Sequence, residues 1–251
     1  LFFALLEFFW PSRWVPLEFL KINQRAKIMS IEILSLQLKD VVFSYPGSPP
    51  VLDGLSLQVS SGERVAVLGR SGIGKSSLLR LVAGLERLAA GEICIHGEKV
   101  SGPALHVAPE KRKVGMVFQD WAVFPHLTVF ENIAFGLRRR GRDPAEQDRV
   151  KELLAEFELE GLQARMPSTL SGGQMQRVAC ARALAPKPEI LLLDEAFSSL
   201  DASLRQRIRQ QVVAALKLEK ATSILVTHDP DEAREFAHRV LELRDGRLYE
   251  A

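Results

Sequence analysis

The chain has little cysteine, no excess of either charge and no long apolar run. Its two cysteines, Cys94 and Cys180, lie far apart, which excludes a disulfide scaffold and a close-spaced metal site. They read as reduced thiols, as expected in a cytosolic compartment. Lys and Arg total 33 against 31 Asp and Glu. Residues 1–28 hold Arg13, Lys21, Arg25 and Lys27 against Glu7 and Glu18, so the remainder is electrically balanced. The basic surface of a nucleic-acid binder is missing, and no nucleic-acid partner is expected. The greasiest stretch, LFFALLEFFWPSRWV at residues 1–15, is broken by Glu7, Pro11 and Arg13 well short of the roughly 20 apolar residues of a membrane span. It also lacks the basic flank and cleavage site of a signal peptide. There is no internal repeat and no low-complexity tract.

What is present is enough apolar sequence, 47% of 251 residues, to bury a full core. Regular periodicity begins only after Met29. Residues 1–28 are therefore read as an extension outside the fold, translated from upstream of a start at Met29; the competing reading is an amphipathic membrane or partner anchor. The domain proper is expected over 31–251.

Its organising stretch runs from the apolar Val65-Ala66-Val67-Leu68 through Gly69-Arg70-Ser71-Gly72-Ile73-Gly74-Lys75-Ser76 to Ser77-Leu78-Leu79. Strand, glycine-rich loop and helix in that order fit G-x-x-x-x-G-K-S/T, a loop whose backbone N–H groups point at phosphate oxygens. A helix opening at Lys75 adds its positive dipole end beneath them. Lys75 would place an ammonium on the β- and γ-phosphates, and Ser76 a hydroxyl on Mg²⁺.

Around this loop, Ile31–Phe43 and Val51–Val59 read as strands split by the Tyr45-Pro46-Gly47 turn, and Glu92–His96 as another. Together they suggest an antiparallel edge joined to a parallel core in one mixed sheet. Val114–Phe118 is a strand that stops at Gln119. Val150, Leu153, Leu154 and Phe157 give helical spacing over Asp148–Glu160, and a second helix is expected over Ser171–Leu184. A helical insertion at about 120–185 thus separates two core strands. Ile190–Leu193 is a strand buried on both faces, ending in Asp194-Glu195. A helix marked by Leu200 to Leu216, a strand Ile224–Val226 ending at Thr227-His228 and a hairpin around Asp245-Gly246 complete the chain.

Adjacent carboxylates at the carboxyl end of a buried strand stand where ligand sites open in parallel sheets. Asp194 fits the Mg²⁺-binding acid of phosphate-loop nucleotidases, and Glu195, directed the other way, a residue that polarises water for attack on the γ-phosphate. Leu170-Ser171-Gly172-Gly173-Gln174 is a second anion-type helix start in the same chain. Followed by Met175-Gln176-Arg177, it resembles the signature of ATP-binding cassette (ABC) ATPases, and the resemblance extends from about Ser35 to the end. By that resemblance Tyr45 is the aromatic stacked on adenine, Gln119 the glutamine-loop residue shared between Mg²⁺ and water, Asp201 the D-loop and His228 the switch histidine on the γ-phosphate. Ile73, Ala196 and Ser199 depart from the usual pattern without removing a phosphate, metal or water ligand.

The family likeness implies an α/β fold, a RecA-like phosphate-loop NTPase core with an antiparallel β edge subdomain and an inserted helical subdomain. It implies ATP and Mg²⁺ as cofactors and an ATPase completed by a second subunit, whose Ser171–Gln174 segment closes on the nucleotide in trans. Permease subunits and a solute-binding protein would be separate chains, and this one peripheral at the cytoplasmic membrane face. Phe118–Val129 and Asn132–Leu137 are similar to bacterial importers of the inorganic-ion, polyamine and sugar type; an exporter subunit is the second reading. Iron, sulfate, nitrate and thiamine stay open as cargo. The chain ends just after Tyr249, which leads us to expect no accessory C-terminal domain. The interval from Lys75 to Leu170 has no room for the coiled coil of a chromosome-maintenance ATPase.

Overall fold

A computed structural model describes residues 34–198 and 202–251. The extension at 1–28, the strand start at 31–33 and the D-loop Asp201 lie outside the described residues. Strand β1 (Leu34–Phe43) buries Leu36, Leu38, Val41 and Phe43. That pattern skips one residue because Asp40 takes a left-handed backbone (φ 47°) and the register against its neighbour slips between Leu38 and Val41. The strand therefore carries a bulge where the sequence reads as plain alternation.

Strands β2 (Leu52–Ser60), β4 (Ala90–Ile95), β5 (Glu98–Gly102) and β6 (Leu105–His106) join β1 in an antiparallel sheet of order β2-β1-β4-β5-β6. A second sheet has the order β11-β10-β3-β9-β8-β7. In it β10 (Arg239–Arg244), β3 (Arg64–Leu68), β9 (Thr222–Thr227), β8 (Ile190–Asp194) and β7 (Val114–Val117) are parallel, and β11 (Arg247–Glu250) closes one edge antiparallel. This corrects the expectation of one mixed sheet: β1 is paired on both sides by β2 and β4, so the antiparallel strands form a sheet of their own.

The two sheets are joined through helix α1 (Lys75–Ala83). Its Leu78, Leu79, Leu81 and Val82 are buried in one core with Leu36 and Val59 from the first sheet and Val65, Val67, Leu192 and Val226 from the second. Alternate residues of the same parallel strands, Ala66, Leu191, Leu193 and Leu225, face a second core. Period-two burial on both faces explains why β8 reads as an unbroken apolar run. Each fully buried leucine there contributes roughly 1.5–3 kcal/mol.

Between β7 and β8 come α2 (Val129–Ala134), α3 (Pro144–Glu156) and α4 (Gly172–Leu184); α5 (Ala202–Glu219) and α6 (Pro230–Phe236) follow β8 and β9. Helix α3 starts four residues before the expected Asp148, because Asp143 accepts from the Ala145 N–H and Pro144 occupies the first helical position. It stops at Glu156, where Glu158 turns left-handed (φ 53°). Val150, Leu153, Leu154 and Phe157 are buried as their spacing requires. Strands β5 and β6 and helices α2 and α6 add to the elements that the sequence pattern predicts. No helix among the described residues is long and apolar enough to cross a membrane.

Candidate nucleotide site

Parallel register delivers the key residues to one edge. Leu68 of β3 pairs with Thr227 of β9, and Asp194 of β8 pairs with Val226, so Gly69, His228 and Asp194-Glu195 leave neighbouring strands together. Val117 of β7 pairs with Leu193, which brings Gln119 to the same carboxyl edge.

The loop from Gly69 to Gly74 needs its glycines. Gly72 and Gly74 are left-handed (φ 79° and 112°), and a Cβ on Gly74 would stand 2.6 Å from Val51 Cγ1. Gly74 caps α1 without any side-chain bond, whereas Thr128, Asp143, Ser171 and Asp229 cap α2, α3, α4 and α6 with their side chains. The first-turn N–H groups of α1 are thus left to whatever enters the loop. Lys75 Nζ donates to the carbonyls of Gly69 (2.8 Å) and Arg70 (3.0 Å) and lies 3.4 Å from Glu195 Oε1. Tyr45 donates or accepts a 2.9 Å bond with the Ser77 hydroxyl and meets Phe43 edge-on, which fixes its half-exposed ring beside the loop.

Ser76 Oγ donates to Asp194 Oδ1 at 2.8 Å. Burial pushes the Asp194 carboxyl above the usual carboxylate range, against the Ser76 hydroxyl, Arg80 and Lys75, which pull it down. A buried acid with a hydroxyl oxygen beside it suits a hard divalent cation that takes few protein oxygens. Glu195 is left-handed (φ 45°), a strained backbone for a residue with a side chain, with its N–H on the Val226 carbonyl at 3.0 Å. Its carboxylate Oε2 lies 3.4 Å from His228 Nδ1. Lys75, Glu195 and His228 therefore form one chain of contacts at the mouth of the loop.

Gln119 is exposed in a turn just past β7. Ser171 and Gln174 form a reciprocal capping box: the Ser171 N–H donates to Gln174 Oε1 at 2.9 Å and the Gln174 N–H to Ser171 Oγ at 3.3 Å. The two side chains bond within this box, away from the phosphate loop. A Cβ on Gly173 would come 2.4 Å from Leu204, and one on Gly172 3.2 Å from the Trp121 ring, so both glycines are set by close packing. Cys180 is buried in α4, its thiol pushed up to about 12 by burial. Ile73 packs at the edge of the first core and Ala196 is buried, so these departures are absorbed by packing.

Sequence reasoning missed three supporting residues. Asn132, fully buried, accepts from the Phe124 N–H and donates to the carbonyls of Phe124, Leu127 and Thr128. Arg112 donates to Val107, Leu81, Val82, Val100 and Ser101. Arg182 bonds the loop after Gln119. Only the first had a local signal, the Thr128-x-x-Glu131 capping box that opens α2.

Cores in which a parallel sheet brings a phosphate loop and an acid pair to one edge are those of phosphate-loop nucleotide-binding proteins. Residues 52–198 match the ABC transporter family, and the chain belongs to it. It is 48% identical over 225 residues to the "Sulfate/thiosulfate import ATP-binding protein CysA" of Photorhabdus laumondii, 88% of this chain and 59% of that protein. A protein of the same name from Escherichia coli K12 is 46% identical over 223 residues, 87% of this chain and 60% of its own. The chain thus spans less than two thirds of the length of these relatives. Among solved structures, a dimeric post-hydrolysis state of the ATP-binding cassette MJ0796 bound to ADP and Pi superposes with a TM-score of 0.75 at 33% identity, covering 86% of this chain and 98% of that one.

Proposed function

We propose that the chain is the ATP-binding and ATP-hydrolysing subunit of a bacterial ABC importer, working on a separate permease that passes a small inorganic oxyanion of the sulfate type. The observation that carries the chemistry is the contact chain of Lys75, Glu195 and His228 beside the Ser76–Asp194 pair. The names of the relatives support import and sulfate or thiosulfate as cargo.

In this reading Gly69, Arg70, Ser71, Gly72, Ile73, Gly74, Lys75, Ser76 and Ser77 cradle the phosphates, and Tyr45 offers its ring to adenine. Lys75 exchanges its carbonyl partners for phosphate oxygens. Ser76, Asp194 and Gln119 would hold Mg²⁺, which would supply charge neutralisation on the transferring phosphoryl group. Glu195 accepts hydrogen-bonding from the attacking water, and His228 donates to the γ-phosphate. Ser171, Gly172, Gly173 and Gln174 complete the site of a second copy of the chain, with Asp201 at the contact between the two. The assembly sits at the cytoplasmic membrane face with its permease and a solute-binding protein.

Glu195→Gln tests the chemistry. It should keep ATP binding, lower kcat by more than about 100-fold and trap an ATP-bound dimer on size-exclusion chromatography. Wild-type hydrolysis by this variant would remove Glu195 from the role. Sulfate uptake into vesicles carrying the cognate permease tests the cargo, and ATP-driven efflux instead would place the subunit in an exporter.

A further inference from the structure

We propose that Arg182 is a positioning residue that makes the turn bearing Gln119 and the start of α4 move as one body. The inference rests on the reading of Gln119 and Ser171 given above. Gln119 occupies the second position of a turn closed by the Trp121 N–H on the Phe118 carbonyl at 3.0 Å. The chain leaves this turn through two successive left-handed residues with side chains, Trp121 (φ 61°) and Ala122 (φ 45°). Such a pair is costly and persists only where its surroundings fix it.

Arg182, in the last turn of α4, does the fixing. Its Nη1 donates to the Ala122 carbonyl at 2.7 Å and its Nη2 to the Trp121 carbonyl at 3.1 Å. The guanidinium also lies over the Phe124 ring, 4.8 Å from its centroid. Burial works against the charged guanidinium, so its two carbonyl bonds and the ring face are the partners that retain it there. A lysine has one ammonium and lacks the planar fork that reaches two adjacent carbonyls.

Trp121 meets the other end of the same helix. Its Cη2 stands 3.2 Å from where a Cβ on Gly172 would be, the first helical residue after the Ser171 cap. Packing alone keeps the ring there, since its indole Nε1 is buried without a hydrogen-bond partner among the described residues. Gly172 and Arg182 are roughly 15 Å apart along the helix axis. One loop residue, held through its carbonyl by Arg182 and through its ring by Gly172, therefore braces α4 at both ends. A displacement of the Gln119 turn in one nucleotide site is passed as a rigid movement to the Ser171 cap that serves the other.

The test uses the purified full chain with Arg182→Met and Arg182→Lys. The methionine variant should bind ATP within about threefold of wild type and keep its KM, while kcat falls at least about tenfold; lysine should restore part of that loss. Trp121→Leu, which leaves the carbonyl bonds and removes the ring from Gly172, should show the same split and carries the test if Arg182→Met does not fold. A kcat within twofold of wild type in either folded variant would overturn the brace, as would a loss of kcat matched by an equal loss of ATP affinity. Gln119→Ala and Ser171→Ala run alongside. If they retain full kcat, the site reading itself fails; if they lose it and the brace variants do not, only the brace fails.

Discussion

Glu232 is buried in the first turn of α6, next to the segment that sets His228. Asp229 fixes that segment: its N–H donates to Thr227 Oγ1 at 3.1 Å, and its Oδ1 accepts from the N–H groups of Asp231 (2.9 Å) and Glu232 (3.2 Å). Burial, with Asp229 adding to it, raises the Glu232 pKa above the usual glutamate range, although the Thr227 hydroxyl, Arg205 and Arg209 oppose the shift. An acid whose folded pKa is raised costs stability as pH climbs from its ordinary value through the raised one, and the cost is fully present above both. Glu232→Gln should therefore raise the melting temperature at pH 8, and the gain should shrink as pH falls toward the ordinary glutamate range. A lower melting temperature for the variant at pH 8 would mean that the charge is paired and needed. The opposite case stands in the same region: Asp229 is held below the usual range, because N–H donation from Glu232 and Asp231 outweighs the effect of burial.

At the scale of elements, β7 ends at Val117 on the sheet edge and the next regular structure is α2, so the turn carrying Gln119 is the passage from sheet to helices. A side chain at such a junction can report on the nucleotide without being the main hold on it. In vesicles with the cognate permease, Gln119→Ala should reduce substrate uptake more than ATP hydrolysis, whereas Lys75→Ala, which strips the phosphate loop of its ammonium, should remove both. Equal proportional losses would make Gln119 one more catalytic ligand. The parts of this arrangement that could be read from residues are the local ones. The Gly69–Ser76 loop, the Ser171 cap and the doubly buried β8 each announce themselves within a few positions. The division into two sheets did not, because the alternation in β2 suits a partner in either sheet and only pairing decides. Nor did the left-handed backbones at Trp121, Ala122 and Glu195, where no glycine signals the turn. Arg182 bonds carbonyls some sixty positions away, and nothing in its own neighbourhood in sequence points to them.

Across the whole molecule, α1 is the member that both sheets share, and Arg112 secures its far end. The guanidinium donates to the Leu81 (3.0 Å) and Val82 (3.1 Å) carbonyls of α1 and to the Val100 carbonyl (3.2 Å) and Ser101 hydroxyl (2.8 Å) of β5. Burial lowers its pKa to about 10, which still leaves it charged at neutral pH. Among the described residues, both cores are built from Leu36 onward. Deleting residues 1–28 should accordingly leave ATP binding and the melting temperature unchanged; a drop of many degrees would show that the segment packs on the domain. The Ser171 capping box has a further consequence for assembly. Gln174 already occupies the serine's N–H and one lone pair of its oxygen, so the hydroxyl hydrogen is what remains to be given to an anion. In the proposed dimer that donor is oriented before the partner arrives, and closure forfeits the translational and rotational freedom of two bodies but little side-chain entropy at the seam. Affinity between the copies is then governed by what lies between them, and the nucleotide itself becomes the adhesive.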